Sequence, residues 1–246
     1  MDWIDTSLFL LLVMLGAYVQ TIAGFAMGLL IMGGVTILNL APIAFSAAVV
    51  SILSLLNTML ALRYSLKHVN WKIVGYTCAG LLPGLVIGFF ILGVLSDSAY
   101  IWLRRILGIV IIVAGVLLTL KPEPWDRASG GLASSLTGVA GGLIGGMFST
   151  GGAPIAFFMY RQPSEFNVIR ATLLAIFAVT TFSRTVVVAV NDELSRDILL
   201  ISGIALPLVL ITTLTARKIS PASADATVRK MVFILLIVIG ASLVIT

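Results

Sequence analysis

Charged residues are missing from most of this chain. None occurs in residues 7–62, 73–96, 128–160, 198–216 or 231–246. A helix needs about 20 mostly apolar residues to span the hydrocarbon core of a bilayer, so these runs predict an all-α, polytopic integral membrane protein. Six stretches read as uninterrupted spans: 42–62, 73–95, 100–120, 168–190, 197–216 and 226–245. Two longer segments, 7–39 and 129–159, are broken internally by GAYVQTIAGFAMG at 16–28 and GVAGGLIGGMFSTGG at 138–152. That predicts about eight membrane segments, or ten if each broken segment folds as a helical hairpin. Irregular backbone survives at membrane depth only where it is buried in protein or lines a cavity. The two breaks therefore mark where a solute would cross.

Composition supports the membrane reading. The chain is 60% hydrophobic and 10% charged, with a mean hydropathy of +1.17, far from the balance of soluble domains. Its start, Met-Asp-Trp-Ile-Asp, lacks the basic segment of a signal peptide, which predicts a retained first span. The net charge of +5 comes from basic residues scattered among short loops, such as Lys67, Lys72, Arg104 and Arg105. They read as headgroup anchors, and no nucleic-acid partner is expected. A single cysteine, Cys78, and a single histidine, His68, leave no disulfide framework, no metal site and no cofactor to expect. Ser149 beside glycines superficially suggests a hydrolase nucleophile, but such a serine needs a base within hydrogen-bond reach. His68 lies at the other end of its half, so the chain reads as no enzyme.

The halves align as tandem homologous repeats. An offset of 124 pairs Pro83 with Pro207, Arg105 with Arg229, Ala47 with Ala171 and Ser96 with Ser220. Near the start the offset becomes 127, pairing Gly24 with Gly151 and Met32 with Met159. The expected organisation is a first transmembrane repeat over 1–120, a polar linker over 121–127 (KPEPWDR), and a second repeat over 128–246. With four crossings per half, the repeats would be parallel. With hairpins the crossing number becomes odd and the halves are inverted. Counted with four crossings, basic residues divide eight to six between the faces, which sets no orientation.

Several residues could carry recognition. Arg184 lies within the predicted span 168–190, among Thr180, Thr181, Ser183 and Thr185. A charge at mid-bilayer costs roughly 2.5–3.5 kcal/mol even on insertion scales. Such an arginine is either a fixed cation whose planar fork suits carboxylate, sulfonate or phosphate oxygens, or a side chain that snorkels to the headgroups. Ser51, Ser54, Asn57 and Thr58 fall at spacings of three to four, as a pathway lining or as helix glue; Asn57 aligns with Thr181. The breaks offer backbone N–H groups and the positive ends of helix dipoles to an anion, after Gly24 and after Gly151 and Gly152. Gln20, Thr21, Ser149 and Thr150 stand beside them, and Pro154 suits the first turn of the following helix. Alternatively the glycines allow close packing, since Gly138, Gly142 and Gly146 recur every four residues. Pro83 and Pro207 sit mid-span as candidate hinges.

At these residues the chain resembles the TauE/SafE family of sulfite and organosulfur-anion exporters, also called TSUP permeases, from about Leu10 to Leu243. GAYVQTIAGFAMGLL at the start and GGLIGGMFSTGGAPIAFFMY after the linker carry the resemblance. It implies secondary transport of small sulfur-containing anions, such as sulfite, sulfonates or sulfoacetate, across a prokaryotic plasma membrane. Alternating access at a midplane site between the repeats is the mechanism expected, with a passive anion channel, or a permease for another small solute, as the alternative. The partners expected are a small anion and the lipid bilayer, and a homo-oligomer is compatible with the sequence. The first motif holds Ala23 and Ala26 in place of a denser glycine pattern, so the second break is the stronger site.

Overall fold

The computed structural model describes residues 3–119, 124–219 and 224–245. Linker residues 121–123 and Ser220 lie outside the described residues, as do the side chains of Arg217, Lys218, Arg229 and Lys230. The described residues form ten α-helices: α1 (Trp3–Ala23), α2 (Met27–Ile37), α3 (Ile43–Leu62), α4 (Trp71–Ser98), α5 (Tyr100–Thr119), α6 (Gly131–Phe148), α7 (Gly152–Tyr160), α8 (Phe166–Val190), α9 (Arg196–Ile219) and α10 (Ala224–Ile245). Seven of them (α1, α3, α4, α5, α6, α8 and α9) are long and apolar enough to cross a membrane. Both prolines lie within continuous helices, Pro83 in α4 and Pro207 in α9.

Each broken segment is a helical hairpin. Gly16 packs against Met27 and Ile31, and Gly34 against Leu12, so α2 runs back along α1. Gly145 meets Gly151, and Gly141 meets Ile155, so α7 likewise returns along α6. The loop ends confirm the return: Gln162, just past α7, bonds Ser129, just before α6. α2 is apolar but for Thr36, and every residue from Met27 to Thr36 is buried, as a helix at the centre of a bundle must be.

The hairpins enter from opposite faces. Trp3 and Thr6 of α1, Leu40, Ala41, Pro42 and Phe45 at the start of α3 and Asp197, Leu200, Ile201 and Ile204 at the start of α9 line one groove; they define the first face. The backbone N–H of Asn70, before α4, bonds Thr172 early in α8, and that of Trp125 bonds the carbonyl of Arg161; they define the second face. The first hairpin thus starts and ends at the first face, the second at the second face. α3, α4 and α5 cross between them, as do α8, α9 and α10 in the reverse sense. Packing follows the same exchange: α4 lies along α6 as α9 lies along α1, α5 meets α7 as α10 meets α2, and α3 meets α8.

Glycine explains why α4 and α6 pack so closely. A Cβ at Gly80, Gly84 or Gly88 would overlap the carbonyls of Ser135, Val139 and Leu143. One at Gly138, Gly142 or Gly146 would overlap those of Thr77, Leu81 and Leu85. Two backbones in contact replace side-chain packing where hydrocarbon supplies no hydrophobic drive between helices. Gly142→Val should destabilise this pair by about 1–3 kcal/mol, read as a lower midpoint in a detergent thermal melt.

The hairpins also redistribute charge. Arg63, Lys67, Lys72, Arg127, Arg161 and Arg170 belong to segments at the second face, where α9 ends with Arg217 and Lys218 and α10 begins before Arg229 and Lys230. The first face has Arg104, Arg105 and Arg196, with Asp5, Asp192, Glu193 and Asp197. Short cytoplasmic segments carry the excess of Lys and Arg, so the orientation expected from this rule puts the second face in the cytoplasm. In a Cys78→Ala background, a membrane-impermeant thiol reagent on whole cells should label Asn39→Cys, and should reach Ser164→Cys only after lysis.

Candidate functional site

The two hairpin tips meet. Gly28, at the start of α2, lies so close to the backbone of Ser149 that a Cβ would fall 2.4 Å from its carbonyl oxygen. Between the tips is a cavity of about 30 Å³, lined by Gln20, Phe25, Ala26, Gly28 and Leu29 from the first hairpin and Ser149–Gly152 from the second. Ser54 of α3 and Phe177, Thr180 and Thr181 of α8 complete the wall. A water needs roughly 10–15 Å³ by this measure, so the cavity holds about two.

Its polarity comes from backbone. α2 begins at Met27 after Ala26, whose φ is 87°, and α7 begins at Gly152 after Gly151; neither start has a side-chain cap. A helix leaves its first N–H groups without intrahelical acceptors, and here Gly28 and Leu29 of α2 and Gly152 of α7 line the cavity. Pro154 stands in the first turn of α7, where its missing N–H removes no helix bond. α2 starts later than the Gly24 break suggests, because Gly24 (φ 84°) and Ala26 both take left-handed backbone. Thr150, 3% exposed, adds a hydroxyl without a hydrogen-bond partner.

Each tip also exposes the carbonyl end of a helix, and an arginine of α8 covers each one. Arg170 donates to the carbonyl of Thr21, near the end of α1. Arg184, 1% exposed, donates from Nε to the carbonyl of Gly146 at 3.0 Å, near the end of α6. Its Nη1 donates to the carbonyl of Ala47 at 2.7 Å and to Ser51 Oγ at 2.6 Å. Arg184 is therefore neither snorkelled nor part of the cavity wall. It stands behind the wall, and Ser51 Oγ lies 3.0 Å from Ser149 Oγ.

The structure thus brings together Gln20, Ser149, Thr150, Gly151 and Gly152 at the cavity, and places Thr21, Gly24, Asn57 and Arg184 outside its lining. Asn57 Nδ2 reaches Thr213 Oγ1 at 2.8 Å, Thr21 Oγ1 at 3.0 Å and the carbonyl of Ala17 at 3.2 Å. It joins α3 to α1 and α9 one turn beyond Ser54. Gly24 packs against Arg170. Sequence reasoning passed over Phe25, Ala26, Gly28, Leu29 and Phe177 as lining and Arg170 as a partner of the first tip. The usable signal for Arg170 was its spacing of 14 from Arg184, close to four helical turns.

Residues 8–243 match the family described as sulfite exporter TauE/SafE. The chain belongs to the TauE/SafE family. A protein of Cupriavidus necator named "Probable sulfite/organosulfonate exporter TauE" is 41% identical over 228 residues, covering 93% of this chain and 89% of that protein. No solved structure matches the chain. The motifs through which the chain resembles TauE/SafE proteins are the two hairpin tips, so the family signature and the cavity coincide.

Removing either arginine leaves helix-end carbonyls bare in an apolar interior, at about 1–3 kcal/mol for each unsatisfied group. Arg184→Ala and Arg170→Ala should each lower the detergent melting midpoint. Arg184→Lys, which keeps a donor but not the fork, should fall between Arg184→Ala and the native protein.

Proposed function

We propose that this TauE/SafE protein is a secondary transporter that exports small sulfur-containing anions, such as sulfite, sulfonates or sulfoacetate, across a prokaryotic plasma membrane. The observation that carries the reading is the meeting of two uncapped helix N-termini, from hairpins of opposite sense, at one buried cavity. Helix N-termini attract anions through free N–H groups and the positive dipole end. Family membership and the name of the Cupriavidus relative support the sulfur chemistry. Arg170 and Arg184 strengthen the anion preference by covering the competing carbonyl ends of the same tips.

The inverted packing supports reading 1–120 and 128–246 as two repeats that rock about the cavity in alternating access. Pro83 and Pro207 fit as hinges, since each interrupts the hydrogen-bond ladder of a helix lying along the other half's hairpin. A cavity with room for about two waters favours a carrier, whose tips part to admit the anion, over an open channel. Substrate would enter from the second, cytoplasmic face.

The test is flux of labelled sulfite, a sulfonate and a neutral solute of similar size in proteoliposomes, under imposed pH and voltage gradients. Saturable anion flux that exceeds neutral flux, and falls about ten-fold in Thr150→Val through loss of one hydrogen bond to a charged group, is expected. Equal flux of all three solutes would end the anion reading, and flux that never saturates would favour the channel.

A further inference from the structure

Ser51 links the buried guanidinium of Arg184 to the cavity wall at Ser149. We infer that Arg184, Ser51 and Ser149 form a hydrogen-bond relay that aims the Ser149 O–H at the bound anion, with Arg184 and Ser51 as positioning residues. The inference rests on the cavity being the anion site.

Donor bookkeeping sets the direction. A serine hydroxyl has one proton and two lone pairs, whereas a guanidinium can only donate. Ser51 Oγ therefore accepts from Arg184 Nη1 at 2.6 Å. Its own proton has two takers, the Ala47 carbonyl at 2.7 Å and Ser149 Oγ at 3.0 Å. Arg184 Nη1 also donates to that carbonyl at 2.7 Å, so the carbonyl keeps a partner when the Ser51 proton turns to Ser149. Ser149 then accepts from Ser51, and its own proton is free for the cavity that it lines.

With an anion present, every link points the same way: Arg184 N–H to Ser51, Ser51 O–H to Ser149, Ser149 O–H to the anion. Each bond polarises the next. Without an anion the protons reverse, Ser149 donating to Ser51 and Ser51 to Ala47, and no group is stranded. The backbone favours this use of Ser149, whose φ of 57° ends α6 in left-handed geometry. The anion thus senses the guanidinium through two hydroxyls without meeting its fork, so binding gains charge assistance while release breaks only a hydroxyl contact.

The test is binding of sodium sulfite to the purified full chain in detergent by calorimetry, together with liposome flux. Ser51→Ala is expected to raise Kd and the KM of flux about ten-fold, the worth of a charge-assisted hydrogen bond, with the maximal rate kept. Ser51→Cys, nearly isosteric and a weak donor, should fall between, and it carries the test if Ser51→Ala does not fold. The double variant Ser51→Ala/Ser149→Ala should bind no more weakly than Ser149→Ala, because one chain is broken in both. Native affinity in both Ser51 variants, or fully additive losses, overturns the relay. If the native protein binds no sulfite or sulfonate, the anion site itself fails and the relay with it.

Discussion

A helix that stops inside hydrocarbon leaves two bare ends, and most of this structure follows from how they are satisfied. Each hairpin tip juxtaposes the carbonyl end of one helix with the N–H end of the next. Left alone, the two would cancel at any ligand and leave unsatisfied groups of both kinds. The chain treats them differently. Arg170 and Arg184, on one helix, bond the carbonyls of Thr21 and Gly146, while the N–H ends of α2 and α7 carry no side-chain cap. The covered ends are anchored in protein, and the uncovered ones border the cavity. A buried guanidinium is costly by itself; the hydrogen bonds to Thr21, Gly146 and Ala47 carbonyls offset that cost.

Glycine serves two distinct ends, and they fall on adjacent faces of α6, about 80° apart by helical phase. Gly138, Gly142 and Gly146 press against α4 and hold the second hairpin to its neighbour by backbone contact. Gly145 and Gly141 receive the returning strand of the tip at Gly151 and Ile155, and Gly151 and Gly152 border the cavity. Packing and site are thus both present in one glycine-rich motif, separated by helical phase. The first hairpin has fewer glycines, with Gly16 and Gly34 seating α2 on α1. Its tip depends more on the left-handed Ala26 and on Arg170.

Inversion sets how the two hairpins approach the cavity. Because each hairpin returns to its own face, three helices cross in each half, and the second half is turned over relative to the first. One tip then reaches the cavity from each side of the helix bundle, the arrangement on which the proposed alternating access rests. The same inversion gathers basic residues at one face that a four-crossing count had divided nearly evenly. Trp125 stacks under Arg161 at 4.7 Å at that face, where the linker rejoins α7.

Much of this was written in the local pattern. Runs of apolar residues determined the spans, because burying them in lipid depends on composition and length and needs no knowledge of neighbours. The glycine interruptions determined where the spans break, and the paired prolines and motifs marked two comparable halves. What no local pattern could decide was which polar groups meet. Asn57 reads as a pathway lining or as helix glue, and it joins three helices through Thr21 and Thr213; Arg184 reads as a fixed cation or a snorkelling side chain, and it stands one hydroxyl behind the wall; Arg170, which no local pattern singles out, covers a helix end 149 residues earlier in the chain. Hydrogen bonds are short and directional, so their partners are settled only when the hairpins dock, and that docking belongs to the tertiary structure alone.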